Sequence, residues 1–184
     1  MPTIESTPYP WPYDGRFSMN GFTLIILNPE PYETDRPDRE LDQQLQDYAS
    51  KVQALGGLVF EVNCLDPRTR KENPDKTVNW PSLYSNADYT FHSYGIDGCY
   101  SSPLEQVLND RNQHLVGLAG RWFETSIHST MRELNDRGFE CLAISDLSDC
   151  LVPELKRNTI SQIEMSGGIF GAVGTSRQLK TLFN

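Results

Sequence analysis

Short apolar runs, each followed by a stretch with helical spacing, constrain this chain more than any other feature. Residues 22–27 (FTLIIL) are apolar without alternation, as a strand buried on both faces must be, and Asn28-Pro29 ends the run. Leu41, Leu45, Tyr48, Val52 and Leu55 recur at spacings of three and four. That spacing predicts one buried helix face, stopped by Gly56-Gly57. Residues 58–62 (LVFEV) predict the next strand, 89–91 a short third, 114–118 a fourth, 139–145 (FECLAIS) a fifth and 169–173 a sixth. Between them, residues 104–108 suit a helix with Ser101 or Ser102 as cap and Pro103 at its start. Ile127, Met131 and Leu134 mark a helix ending at Gly138, and 152–163 a helix with Pro153 in its first turn. Thr175 or Ser176 caps a last helix carrying Leu179 and Leu182. Such alternation predicts a three-layer α/β/α domain with a six-stranded, mainly parallel sheet. Ligands of such sheets bind beyond the carboxyl ends of the strands, near the switch in strand order. The segments to inspect are therefore Asn28 onward, 92–99 and 120–126.

The chain has 184 residues, enough for one domain with one sizeable core. A net charge of −9 argues against nucleic acid or an anionic membrane as partner. No apolar run approaches the roughly 20 residues that span a bilayer. The N-terminal MPTIESTPYPWPYDGRF lacks the basic and apolar regions of a signal peptide, so a cytoplasmic location is expected. Residues 1–21, rich in Pro, Tyr and Gly, read as an extended arm on the domain (22–184) or on a neighbour. Residues 64–86 are polar, contain Pro67, Pro74, Trp80 and Pro81, and read as a long loop. Cys64, Cys99, Cys141 and Cys150 form no CxxC pair, which leaves zinc-ribbon and thioredoxin readings unsupported. Free thiols are expected, with Cys141 as a small core residue.

The stretch GRWFETSIHSTMRELNDRGFECLAISD, followed by GGIFGAVGTSRQL, resembles the C-terminal half of isochorismatase-like cysteine hydrolases, and within them the biuret hydrolase subgroup. PYPWPYDG before the first strand also recurs in that subgroup. The resemblance implies an Asp–Lys–Cys triad, and this sequence departs from it at each position. Where the family ends its first strand Ile-Asp-Met-Gln, this chain reads Leu27-Asn28-Pro29-Glu30. The lysine position after the third strand falls on Ser93, with His92 beside it. The family's Gly-x-x-Thr-x-x-Cys-Val becomes Gly120-Arg121-Trp122-Phe123-Glu124-Thr125-Ser126-Ile127. An amide accepts no proton at neutral pH, Ser93 supplies no positive charge, and a serine attacks nothing without a positioned base. Residues before the nucleophile are small in the family, where backbone amides hold an oxyanion. Here Arg121, Trp122 and Phe123 either close the cavity or build a new one.

Each remaining candidate has a plainer alternative. Ser126 is a nucleophile, or a helix N-terminal serine bonded to backbone; His128, two residues on, points away from it. His92 with Asp97 is an acid–base pair, or a surface histidine. Glu30 is a displaced carboxylate, or a solvated loop residue; Cys99 is a displaced nucleophile, or packing. Trp122 and Phe123 present a partner or ligand surface, or fill the vacated pocket. No metal is expected, because Asp66 has no histidines after it, and no cofactor either: Gly167-Gly168 lacks the Gly-Lys-Ser of a phosphate loop.

The resemblance and the substitutions together lead to the expectation of a catalytically inactive family member, a structural or regulatory subunit. A homo-oligomer or a protein partner is expected, with a small-molecule ligand possible. The alternatives are a hydrolase of a small amide using a rebuilt site, and a sensor that binds a small molecule without turnover.

Overall fold

The computed structural model describes residues 3–30, 38–72 and 81–183. The strands are β1 Phe22–Pro29, β2 Leu58–Cys64, β3 Tyr89–Ser93, β4 Leu115–Gly120, β5 Glu140–Ser148 and β6 Ala172–Gly174. They form one sheet in the order β3-β2-β1-β4-β5-β6, every neighbouring pair parallel. The helices are α1 Arg39–Ala54, α2 Pro67–Glu72, α3 Leu104–Asp110, α4 His128–Asp136, α5 Pro153–Met165 and α6 Ser176–Leu179. The fold class is the one the alternation predicts.

Both faces of β1 are covered, which is why its apolar run does not alternate. Leu24 and Ile26 pack with Tyr48 and Val52 of α1 and Leu179 of α6. Ile25 and Leu27 pack with Leu104 of α3, Met131 of α4 and Ile163 of α5. Asp38 caps α1 by accepting the Glu40 and Leu41 N–H groups, and a Thr175–Gln178 capping box starts α6. Ser102 accepts the Leu104 N–H at 3.2 Å, with Pro103 just ahead of α3.

β2 and β5 run on to Cys64 and Ser148, past the predicted 62 and 145, and local detail departs from the sequence reading further at three points. Asn28 and Pro29 do not end β1 but continue it, because they pair with Asn63 and Cys64 of β2. The last strand starts at Ala172 rather than 169, since Gly167, Gly168 and Gly171 take positive φ and leave Ile169 68% exposed. The polar stretch 64–86 contains α2, while Pro74 and Trp80 lie outside the described residues.

The N-terminal arm folds over its own domain. Thr7 exchanges hydrogen bonds with Val173 at 3.0 and 2.7 Å, adding an antiparallel bridge to edge strand β6. Trp11 is wholly buried against Phe17 and Phe22, so it is not available to a neighbour, whereas Tyr13 is 78% exposed. No helix among the described residues is long and apolar enough to cross a membrane.

Candidate functional site

Strand order reverses direction at β1, between β2 and β4, and the crevice beyond their carboxyl ends is the place where such a sheet binds ligands. Gly120 ends β4 at φ +103°, with its Cα so close to β1 that a Cβ would lie 2.4 Å from the Leu27 carbonyl oxygen. Only glycine fits there. The chain then enters a wide π-type turn, Phe123–Ile127, that leads into α4. This path buries Ser126 behind Trp122.

A cavity of about 40 Å³ remains at Ser126, lined by Glu30, Cys64, Asp66, Trp122 and Thr125 among others. That is far below the roughly 300–1,000 Å³ of small-molecule sites. Of the residues singled out from sequence, the structure brings Glu30, Trp122 and Ser126 together here.

The others lie elsewhere, each for a physical reason. Asn28 shares the α1 face with Leu24 and Ile26, and its amide donates to Glu61 Oε1 at 2.8 Å and to the Pro81 carbonyl at 3.1 Å. The Ser93 hydroxyl donates to the Asp97 carbonyl and accepts the Gly95 N–H at 3.2 Å, organising the loop after β3. His92 is exposed on edge strand β3, because it faces away from the buried positions Phe91 and Ser93. Asp97 is turned away from it, accepting the Cys99 and Tyr100 N–H groups. Cys99 packs in the α3/α4 core, where burial, and secondarily Asp97, pushes its thiol up to about 12. Arg121 pairs with Asp42 at 2.5 Å and Asp149 at 3.8 Å, across the sheet end. Phe123 is wholly buried in the core beneath the Lys156 ammonium, 5.4 Å from its ring.

What the cavity can do follows from its groups. Ser126 donates to no base: among the described residues no carboxylate, imidazole or amine hydrogen-bonds its hydroxyl. The hydroxyl sits against the Cys64 sulfur, and burial raises the Cys64 thiol far above its ordinary range, so the thiolate is suppressed. Arg68 holds Asp66 below the usual carboxylate range, which makes that carboxylate a weak base. Glu30 accepts the Asp66 N–H at 3.2 Å. The Trp122 indole N–H is buried without a partner among the described residues. Two cations of this sheet end are tied elsewhere, Arg121 to its aspartates and Lys156 to the Ser145 and Ser148 carbonyls at 2.7 and 2.6 Å, and Arg68 is held by Asp66. Among the described residues no three His, Cys, Asp or Glu side chains are placed to hold a metal ion.

Cys64 and Asp66 line the cavity although the sequence reading left them out of it. The partner of Asn28, the fully buried Glu61, also had a visible signal: one charge inside the apolar run LVFEV.

Comparison with known proteins agrees with this fold. Residues 20–178 match the Isochorismatase domain family. Among solved structures, a cysteine hydrolase from Pseudomonas syringae pv. phaseolicola 1448A superposes with a TM-score of 0.76 at 16% identity, over 100% of this chain and 97% of that one. An isochorismatase-like hydrolase from Alkaliphilus metalliredigens gives 0.72 at 15%, over 89% and 99%. The pyrazinamidase of Pyrococcus horikoshii in complex with zinc gives 0.68 at 14%, over 84% and 99%. At such identities the structural likeness is one of fold, and it is the match over 159 consecutive residues, 20 to 178, that assigns descent: the chain belongs to the isochorismatase family.

Proposed function

We propose that this chain is a non-catalytic member of the isochorismatase family, a pseudoenzyme that serves as a structural or regulatory subunit. The observation that carries this reading is the state of the three positions taken, by resemblance, as the triad. The Asn28 amide is engaged by Glu61, the Ser93 hydroxyl by its own loop, and Ser126 is buried beside a cavity of about 40 Å³ with no base hydrogen-bonded to its hydroxyl among the described residues. The three positions then supply no thiol, no carboxylate and no cation, the groups that generate and stabilise an attacking thiolate.

A subunit role is supported by apolar surface on and around α5: Leu155, Met165 and Ile169 are 46%, 88% and 68% exposed. The partner in this reading is a second copy or another protein in the cytoplasm, and the acidic charge disfavours nucleic acid and anionic membranes. The second reading, a hydrolase with a rebuilt site, is favoured by the meeting of Glu30, Cys64, Asp66 and Ser126 around one cavity.

One experiment separates the two. Purified chain is incubated with biuret, nicotinamide, ureidoacrylate and isochorismate, the biuret arm testing the subgroup resemblance. No product above the buffer control is expected. Turnover that vanishes in Ser126→Ala would overturn the pseudoenzyme reading. Light scattering on the same sample reports assembly: a mass above the 20.9 kDa monomer is expected, and a monomer at micromolar concentration with no co-purifying protein would remove the subunit role.

A further inference from the structure

The cavity at Ser126 is small, and a larger volume lies one loop away. A groove of about 500 Å³ runs beside the loop after β3, lined by Lys71, Tyr94, Ile96, Asp97 and Tyr100 among others. Its size falls within the roughly 300–1,000 Å³ of small-molecule sites. Among the described residues it shares Ile96 alone with the cavity at Ser126.

Three large apolar side chains stand exposed around this one groove, Tyr94 at 40%, Ile96 at 48% and Tyr100 at 56%. Exposed apolar side chains grouped in this way mark a binding surface. The loop that presents them is held rigid from within. Tyr94 N–H donates to the Tyr100 carbonyl at 3.0 Å, and the Gly98 N–H to Thr130 Oγ1 at 2.8 Å. Asp97 Oδ1 accepts the Cys99 and Tyr100 N–H groups at 2.8 and 2.9 Å. Ser93 ties the base of the loop to the Asp97 carbonyl. A loop braced at this many points presents its side chains with little ordering cost on binding.

The lining carries two charges of opposite sign, and they are not equivalent. Asp97 is already satisfied by two backbone N–H groups. No hydrogen bond or ion pair engages the Lys71 ammonium among the described residues. Among the described residues the groove therefore offers apolar walls and one cation, Lys71, that no hydrogen bond or ion pair engages.

We propose that this groove binds a planar aromatic carboxylate, its ring against Tyr94, Ile96 and Tyr100 and its carboxylate on Lys71. Aromatic rings stack on tyrosine faces and edges, and the ammonium gives a charge-assisted hydrogen bond to the carboxylate oxygen. This site stands whether or not the chain turns over a substrate, since none of its groups is asked to react.

The test uses benzoate, its neutral isostere benzamide and the cation benzylammonium as probes, titrated into the isotopically labelled 184-residue chain and followed by amide chemical shifts. Benzoate is expected to shift Tyr94, Gly95 and Ile96 saturably, and to bind at least about tenfold more tightly than either other probe. Lys71→Gln, an exposed change, should remove that preference while leaving the spectrum otherwise intact. Tyr100→Ala should weaken all three probes. Equal affinity for benzamide, shifts centred on Ser126 instead, or no saturable shift up to about 10 mM would each overturn the proposal. The hydrolysis assay above reads a different property, so either result can fail without the other.

Discussion

Asn28 donates its amide N–H to Glu61 Oε1 at 2.8 Å, and the same carboxylate receives Ser82 Oγ at 2.5 Å and the Leu83 and Tyr84 N–H groups, each at 3.0 Å. A wholly buried carboxylate is thus satisfied by four donors, and the residue at the end of β1 is one of them. The amide at position 28 has a structural task that a carboxylate cannot perform.

Asn28→Asp should therefore destabilise the fold rather than revive chemistry. Two carboxylates would meet about 2.8 Å apart in a buried site, and one of them could ionise only at great cost. A loss of about 2–4 kcal/mol is expected at neutral pH. The shared site raises one carboxyl's folded pKa above its unfolded value, so the penalty is largest at pH 7 and shrinks as the pH falls towards 5. Urea midpoints of wild type and variant at both values check this; equal midpoints at pH 7 would contradict it.

Glu61→Gln should loosen the segment that Glu61 anchors. Wherever the new amide nitrogen lies it meets a group that can only donate, Tyr84 N–H on one side or Asn28 and Leu83 N–H on the other, and only the Ser82 hydroxyl can turn to accept, so at least one of these contacts is lost. About 1–3 kcal/mol of stability should go. Amide exchange at Leu83 and Tyr84 should quicken well beyond that at Leu24 or Val116, which lie deep in the sheet.

The arm should matter to stability in proportion to what each side chain buries. Trp11→Ala should cost about 3–5 kcal/mol, because the indole is wholly enclosed beside Phe17 and Phe22. Tyr13→Ala should cost about 1 kcal/mol or less, its ring being mostly in solvent against Tyr9. Thermal or denaturant unfolding of the two variants gives the comparison. Similar losses would mean that the arm is not packed as described.

His128 should make stability fall in mild acid. Its ring packs against Phe170, its Nε2 is buried without a partner among the described residues, and burial, then the charge of Arg132, lowers its pKa. The unfolded chain takes up a proton near pH 6.5 before the folded one does. This contribution to stability is complete above that pH and is lost as pH drops through it towards the lowered folded value. His128→Phe should flatten the stability profile between pH 7.5 and 5; an unchanged slope would refute the assignment.

The strands and helices were legible because their signals are local. Residues 22–27 and 139–145 are apolar enough to be buried on both faces, and Leu41, Leu45, Tyr48 and Val52 lie on one side of a helix whatever the rest does. The unread parts depend on neighbours distant in sequence. Pairing with Asn63 and Cys64 carried β1 past Asn28, and three glycines at positive φ shortened β6, although residues 169–173 look like a strand in isolation. Trp11 could serve a neighbour or the domain itself on sequence alone, and only the space beside Phe22 decided between them.

The candidate site divides in the same way. The sequence by itself determined which residue types stand at the ends of β1, β3 and the turn into α4, because those positions follow from order along the chain. Only the tertiary structure decided where they point. Side chains on a strand alternate between faces, so a single step along β1 separates the α1 side, where Asn28 meets Glu61, from the α4 side, where Leu27 lies. The turn after Gly120 then drew Ser126 to Glu30, Cys64 and Asp66, residues that spacing in the chain cannot bring together.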